Sequence, residues 1–207
     1  MPEPAIKRVV AFIDGQNLFH SVRWEYGYTF PNYDVVALAR AVVAGQAAKG
    51  WQAPDVRFYT GIPDGRDARW STFWQRKLGV MGRQGVTVFT RHLRYRKETF
   101  ECPSCHAQHT RDSAEEKGVD VRIALDVLTL ASRNAFDVGL IFSQDQDLSE
   151  VADEVRLIAR QAGRWIKLAS TFPQTTRNPR GINGTDWLPF DKALYDGCID
   201  RRDYRKP

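Results

Sequence analysis

Val9-Val10-Ala11-Phe12-Ile13 runs straight into Asp14-Gly15. Five apolar residues rich in β-branched types read as a strand buried on both faces, and such strands belong to parallel sheets covered by helices on either side. Working outward, comparable runs return at Val56–Thr60, Val86–Thr90, Val138–Phe142 and Trp165–Ala169. Helical periodicity lies between them, over 32–48 (Val35, Leu38, Ala39, Val42), 68–78 (Trp70, Phe73, Trp74, Leu78, with both tryptophans read as core), Val119–Ala131 and Leu148–Ala162. Strands alternating with helices predict a three-layer α/β/α domain around a mostly parallel five-stranded sheet. Past Ser170 the pattern fades: Pro173, Pro179, Gly181 and Gly184 predict a loop, and Leu188–Ile199 a last short helix. Residues 1–200 are expected to form a single domain, followed by a mobile basic tail at 201–207.

The 207 residues are 43% hydrophobic and 27% charged, which excludes a disordered chain, a fibre or a coiled coil. No apolar run reaches membrane-spanning length and no cleavable apolar stretch opens the chain, so neither a membrane anchor nor a secretory signal is expected. Three cysteines cannot pair completely, and a reducing, cytoplasmic location is the expectation. The net charge is +5, but it is unevenly spread: residues 1–110 carry +6 and residues 111–207 carry −1. One half suits a polyanionic partner, while the other holds most of the carboxylates.

In a parallel sheet, active groups gather at the carboxyl ends of the strands. Asp14 follows the first strand, Asp145 and Asp147 follow the fourth, and Asp120 opens the helix entered through Lys117-Gly118. Each has an ordinary alternative: Asp14-Gly15 as a turn with Asn17 capping the next segment, Asp120 favoured by a helix dipole, Asp147 with Glu150 as a capping box, Asp145 as a loop charge. Together they can meet in one cleft if the first and fourth strands are neighbours. Clustered carboxylates repel one another, and a hard divalent cation such as Mg²⁺ or Mn²⁺ relieves that repulsion. A cation so held polarises a phosphoryl oxygen and acidifies water, which points to phosphodiester hydrolysis.

Three motifs carry a family resemblance. Phe12-Ile13-Asp14-Gly15-Gln16-Asn17 resembles the D-G-x-N signature of the NYN ribonuclease domains, relatives of the PIN nucleases. Lys117-Gly118-Val119-Asp120 resembles their K-G-V-D segment, and Ser143-Gln144-Asp145-Gln146-Asp147-Leu148 their S-G-D-S-D-F motif. The likeness spans roughly residues 7–170. It implies a PIN-like fold with strand order near 3-2-1-4-5, and a metal-dependent endoribonuclease that leaves a 5′-phosphate and a 3′-hydroxyl. It further implies that Asp14, Asp120, Asp145 and Asp147 gather the metal, that Asn17 supports them, and that Ser143 serves beside them; Asp126 ranks lower. The third motif departs from the pattern, with Gln144 for glycine, Gln146 for serine and Leu148 for the aromatic residue. An altered loop path is expected if position 144 needs positive φ. Gln146 reads as either nucleotide-binding or solvated, and activity below the family norm is an expectation.

Residues 91–112 form an insert. Arg91, Arg94, Tyr95, Arg96 and Lys97 suit a single-stranded nucleic acid, through phosphate contact and base stacking, or equally a solvated hairpin whose charges protect a sheet edge. Arg66 and Arg69 are placed to extend the same surface. Cys102-x₂-Cys105 is half of a structural Zn²⁺ site, with His109 the preferred third ligand over His106, and His92 or Cys198 the candidates for a fourth; a redox dithiol or a plain reduced turn fits the same spacing. The leading expectation is an endoribonuclease acting on RNA, with DNA left open, as a monomer or homodimer. The alternative is an RNA-binding or protein-interaction module with an inactive metal cleft. A haloacid-dehalogenase-type phosphatase fits poorly, because Gln16 stands where a second aspartate is needed, and no G-x-G-x-x-G supports a nicotinamide site.

Overall fold

A computed structural model describes residues 2–64, 66–175 and 177–205. Strand β1 (Val9–Asp14) is buried along its whole length. Its alternate residues face opposite layers, as the two-residue period of a strand requires. Val9, Ala11 and Ile13 pack in one core with Leu18, Leu38, Phe73 and Met81, while Val10 and Phe12 pack in a second with Ile123, Val127, Val151 and Val155. The first core is built on helices α1 (Gly15–Tyr26), α2 (Val35–Ala44) and α3 (Ala68–Arg83). The second is built on α4 (Val119–Ser132) and α5 (Ser149–Gln161). The arrangement is α/β/α.

The remaining strands of the central sheet are β2 (Asp55–Ile62), β3 (Thr87–His92), β6 (Val138–Phe142), β7 (Lys167–Pro173) and β8 (Asp186–Phe190). They are parallel throughout, in the order β3-β2-β1-β6-β7-β8. The sheet therefore has six strands where five were expected, and its order differs from the expected one by an added edge strand beyond β7. Residues 186–190 escape a sequence reading because Pro189 interrupts the apolar pattern, and an edge strand is where proline is tolerated. The expected helix at 188–199 shrinks to α6 (Lys192–Asp196), capped by Asp191, which accepts from the Leu194 N–H at 2.8 Å.

Two further helical boundaries move for reasons of capping. Asp14 accepts the Asn17 N–H at 3.1 Å and starts α1, a helix that the sequence reading did not assign. Asp34 accepts the N–H groups of Val36 (2.9 Å) and Ala37 (3.0 Å), so α2 begins at Val35 rather than in the Asn32–Asp34 segment. The polar insert is a hairpin of its own. β4 (Arg94–Glu101) and β5 (Gln108–Glu115) pair antiparallel as a separate two-stranded sheet. Among the described residues no helix is long and apolar enough to cross a membrane.

Residues 201–205, expected to be mobile, pack back onto the domain. Tyr204 is 7% exposed, meets the Phe73 ring edge-on at 5.9 Å, and donates its hydroxyl to Asp200 at 2.6 Å. The Arg205 guanidinium lies 4.0 Å from the centre of the Phe30 ring. Tyr204→Ala is therefore expected to lower stability by about 2–4 kcal/mol in urea unfolding, the range for removing a buried large side chain with its hydrogen bond. A free tail would give a change near zero.

Candidate functional site: an acidic cleft beside an aromatic pocket

The β1–β6 register sets Ile13 opposite Phe142, so the residues that come next, Asp14 and Ser143, emerge side by side. The buried Ser143 hydroxyl contacts Asp14 Oδ2 at 3.4 Å and accepts the Asp145 N–H at 3.1 Å. Asn17 Oδ1 accepts the Gln144 N–H at 3.0 Å, linking the first turn of α1 to the same loop. Gly15 is required here by close packing: a Cβ would sit 2.6 Å from Phe58 Cζ and 2.9 Å from the Tyr59 carbonyl. Asp145 caps the short 3₁₀ turn Gln146–Leu148 by accepting the Asp147 N–H at 3.0 Å.

Asp14, Asn17 and Asp145 line a cleft of about 490 Å³ with Gln16, His20, Glu116, Gly118 and Asp120. Asp120 sits in the first turn of α4, whose N-cap Gly118 adopts φ +75°, a left-handed conformation that favours glycine. Asp147 is exposed on the 3₁₀ turn outside the cleft lining. Asp126 also lies elsewhere: it accepts from the Tyr59 hydroxyl at 2.8 Å and pairs with Arg122 at 3.0 Å.

Glu116 is an acidic residue of the cleft that the sequence reading missed. It follows β5 directly and accepts the Gly61 N–H. Burial, reinforced by Asp14 and Asp120, pushes its carboxyl up to about 7. Burial likewise pushes Asp14 up to about 6, with Asp145 adding to the rise and the Asn17 and Ser143 hydrogen bonds opposing it. His20 was missed as well, although it lies three residues after Asn17 and four after Gln16, on one helical face. Burial and Arg23 hold its imidazole below the ordinary value.

The two glutamines of the third motif have a structural task. Gln144 donates to the carbonyls of Asn178 (2.9 Å) and Arg180 (2.8 Å). Gln146 donates to the Gly181 carbonyl at 3.0 Å and accepts the Asn183 N–H at 3.2 Å. Among the described residues only His106 and Asn134 have positive φ outside glycine, so position 144 needs no glycine and the anticipated distortion is absent.

A second pocket, about 390 Å³, adjoins the cleft through Gln16, His20 and Ala114. Phe19, Trp70, Trp74, Leu93 and Tyr95 line it, so both tryptophans contribute to a surface as well as to packing. The Arg66 guanidinium lies 4.0 Å from the centre of the Tyr95 ring. The basic run does not act as one face. Strand alternation puts Tyr95 and Lys97 on one side of β4 and Arg94 and Arg96 on the other. Acidic residues stand opposite several of its cations: Glu115 faces Arg94 and Asp112 faces Lys97. Arg91 packs beside Gly118 at the cleft edge.

At the hairpin tip the structure brings Cys102, Cys105 and His109 together, and not His106. Their ligand atoms all lie within 4.8 Å of one another. His106 instead places Nδ1 at 2.7 Å from Glu101 Oε1. The N–H groups of Ser104 and Cys105 point to the Cys102 sulfur and hold its thiol below the ordinary value. Cys198 is buried in the main core and His92 ends β3 at the hairpin root, so neither joins the trio. Among the described residues this is the one set of three ligand groups so close; the carboxylates of the cleft are spread more widely.

The cleft carboxylates set the sign of a pH effect on the metal-free protein. Asp14 is harder to ionise folded than unfolded, so between about pH 4 and pH 6 the folded chain holds the extra proton, and stability falls as pH rises through that window. Glu116 extends the fall to about pH 7. In chelator, Asp14→Asn is expected to raise stability above pH 6 by an amount on the order of 2–3 kcal/mol and to flatten the decline, read by urea unfolding from pH 5 to 8. A variant less stable than the parent at pH 8 would contradict this.

None of the curated proteins matches this chain in sequence. Among solved structures, a protein of unknown function from Vibrio parahaemolyticus RIMD 2210633, VPA0982, is similar over 93% of this chain and 98% of its own, with 17% identity and a TM-score of 0.51. That likeness is one of fold. Ribokinase from Giardia lamblia aligns over 81% of this chain and 49% of its own, with 8% identity and a TM-score of 0.37. The NYN domain family matches residues 8–176, which takes in β1, the cleft and the hairpin. The chain belongs to the NYN domain family.

Proposed function

We propose that the protein is a metal-dependent endoribonuclease acting on single-stranded RNA. The observation that carries this reading is the convergence of Asp14, Asp145, and Glu116 with Asp120, from three separate segments, on one cleft with an aromatic pocket at its side. The donor set is all oxygen, and burial together with neighbouring carboxylates raises the proton affinity of Asp14 and Glu116, which suits Mg²⁺ or Mn²⁺ rather than a softer ion. Asp14, Asp120 and Asp145 would hold that ion, with Asp147 at the rim; when bound it polarises a phosphoryl oxygen and acidifies water.

The chain's own residues do the positioning. Ser143 and Asn17 fix Asp14 and the 144–147 turn through hydrogen bonds, so the carboxylates meet substrate already oriented. Tyr95 and Phe19 offer flat surfaces for an unpaired base, which a duplex could not insert. Arg91 stands where it meets the phosphate backbone at the cleft edge, with Arg94, Arg96 and Lys97 farther along the hairpin. The wide spacing of the carboxylates favours a second reading, an RNA-binding or interaction module without cleavage.

A cleavage assay on labelled RNA and DNA with Mg²⁺, Mn²⁺ or chelator separates the two. Metal-dependent cleavage of single-stranded RNA is expected, falling by about 100-fold or more in Asp14→Asn and Asp145→Asn. Binding without cleavage by the parent protein in either metal would establish the module instead. Tyr95→Ala is expected to weaken single-stranded RNA binding by about 1–3 kcal/mol in fluorescence anisotropy, with binding to duplex RNA unchanged.

A further inference from the structure

The β4–β5 hairpin has little to hold it together. Its residues from Arg96 to Asp112 are exposed with the exception of Cys102, and its own sheet has two strands only. Such a ribbon is marginal in water, because almost no apolar surface is removed to offset the lost chain entropy. Tyr95 and Leu93 secure the root through the aromatic pocket. The tip, eight-residue strands away, has no such anchor.

At the tip is a tightly closed turn carrying two thiols and an imidazole. The Cys102 N–H donates to the Ala107 carbonyl at 2.9 Å and the His106 N–H to the Cys102 carbonyl at 2.8 Å. His106 takes φ 54°, which reverses the chain and turns its ring toward Glu101. His109, already on β5, faces back, with Nε2 3.8 Å from Cys105 Sγ. Ligands on a tetrahedral zinc ion stand about 3.5–3.8 Å apart, given Zn–S near 2.3 Å and Zn–N near 2.0 Å. The observed spacing needs side-chain adjustment of about an ångström or less.

We propose that the hairpin tip is a zinc site, with Cys102 and Cys105 as thiolates, His109 as a neutral imidazole and a fourth position open to water or to a group from outside the chain. Binding releases the two thiol protons to solvent and clips the far end of β4 to the start of β5. The soft donor set separates this ion from the hard cation proposed for the cleft. The inference stands apart from the nuclease reading: it concerns a different end of the hairpin, and its test does not read cleavage. Because β5 continues into Glu116 and Lys117-Gly118, a clipped tip also steadies the arm that forms one wall of the cleft.

The test is a titration of the full chain, reduced and stripped of metal, with Co²⁺ and then Zn²⁺. One Co²⁺ per chain is expected to give the intense visible bands of a tetrahedral ion and the ultraviolet charge-transfer band of thiolate ligation, both erased by one equivalent of Zn²⁺. Cys102→Ser and Cys105→Ser should weaken binding by about 100-fold or more, and His109→Ala by about 10–100-fold. His106→Ala and Asp14→Asn should leave it within about twofold of the parent. Zinc should also slow tryptic cutting at Arg96, Lys97 and Arg111 in the parent and not in Cys102→Ser, while the urea midpoint of the main domain stays put. Absence of thiolate bands, binding that survives both cysteine substitutions, or an equal loss in His106→Ala and His109→Ala overturns the proposal.

Discussion

Parallel pairing of β1 with β6 holds two strand ends level, and the buried Asp14 carboxylate depends on that alignment. With Ile13 opposite Phe142, the next residue of each strand reaches the same point above the sheet, where Ser143 touches both Asp14 and the Asp145 N–H. A register slip of one residue would turn Asp14 to the other face of the sheet, into the layer occupied by α1, α2 and α3. The full burial of β1 and β6 on both faces is what prevents such a slip. Core packing thus sets the position of a charged group that by itself opposes burial.

The rest of the cleft is assembled from the segments adjoining that point. Glu116 reaches Gly61 from the end of β5, Asp120 enters on the first turn of α4, and α1 brings Asn17 and His20 on its exposed face. Gathering these carboxylates leaves each with a raised proton affinity wherever burial is deep, as at Asp14 and Glu116. Such a site is an electrostatic load on the folded chain and a ready seat for a cation.

Much of this was legible in the sequence, for definite reasons. Val9–Ile13 and Val138–Phe142 announce themselves because strands buried on both faces carry unbroken apolar runs. The D-G-x-N and K-G-V-D segments stand out because Gly15 and Gly118 are fixed by close packing and by a left-handed backbone. Other parts were hidden by their role. α1 buries few side chains and turns polar ones to the cleft, so its periodicity is weak. β8 is masked by Pro189, and Glu116 belongs to no recognisable motif until β2 is seen beside it. The charges of residues 91–97 suited either a nucleic acid or a solvated hairpin, and strand alternation and the acids of β5 divide and partly neutralise them.

Gln144 and Gln146, which looked like losses from a motif, tie the turn after β6 to the loop before β8. Their amides satisfy the carbonyls of Asn178, Arg180 and Gly181 and the N–H of Asn183. The turn and that loop are consequently one structural unit. A relative with glycine and serine in the turn must fasten its own loop by other means. Grafting this loop onto such a relative would remove four hydrogen bonds to its backbone, so the turn and the loop are expected to transplant only as a pair.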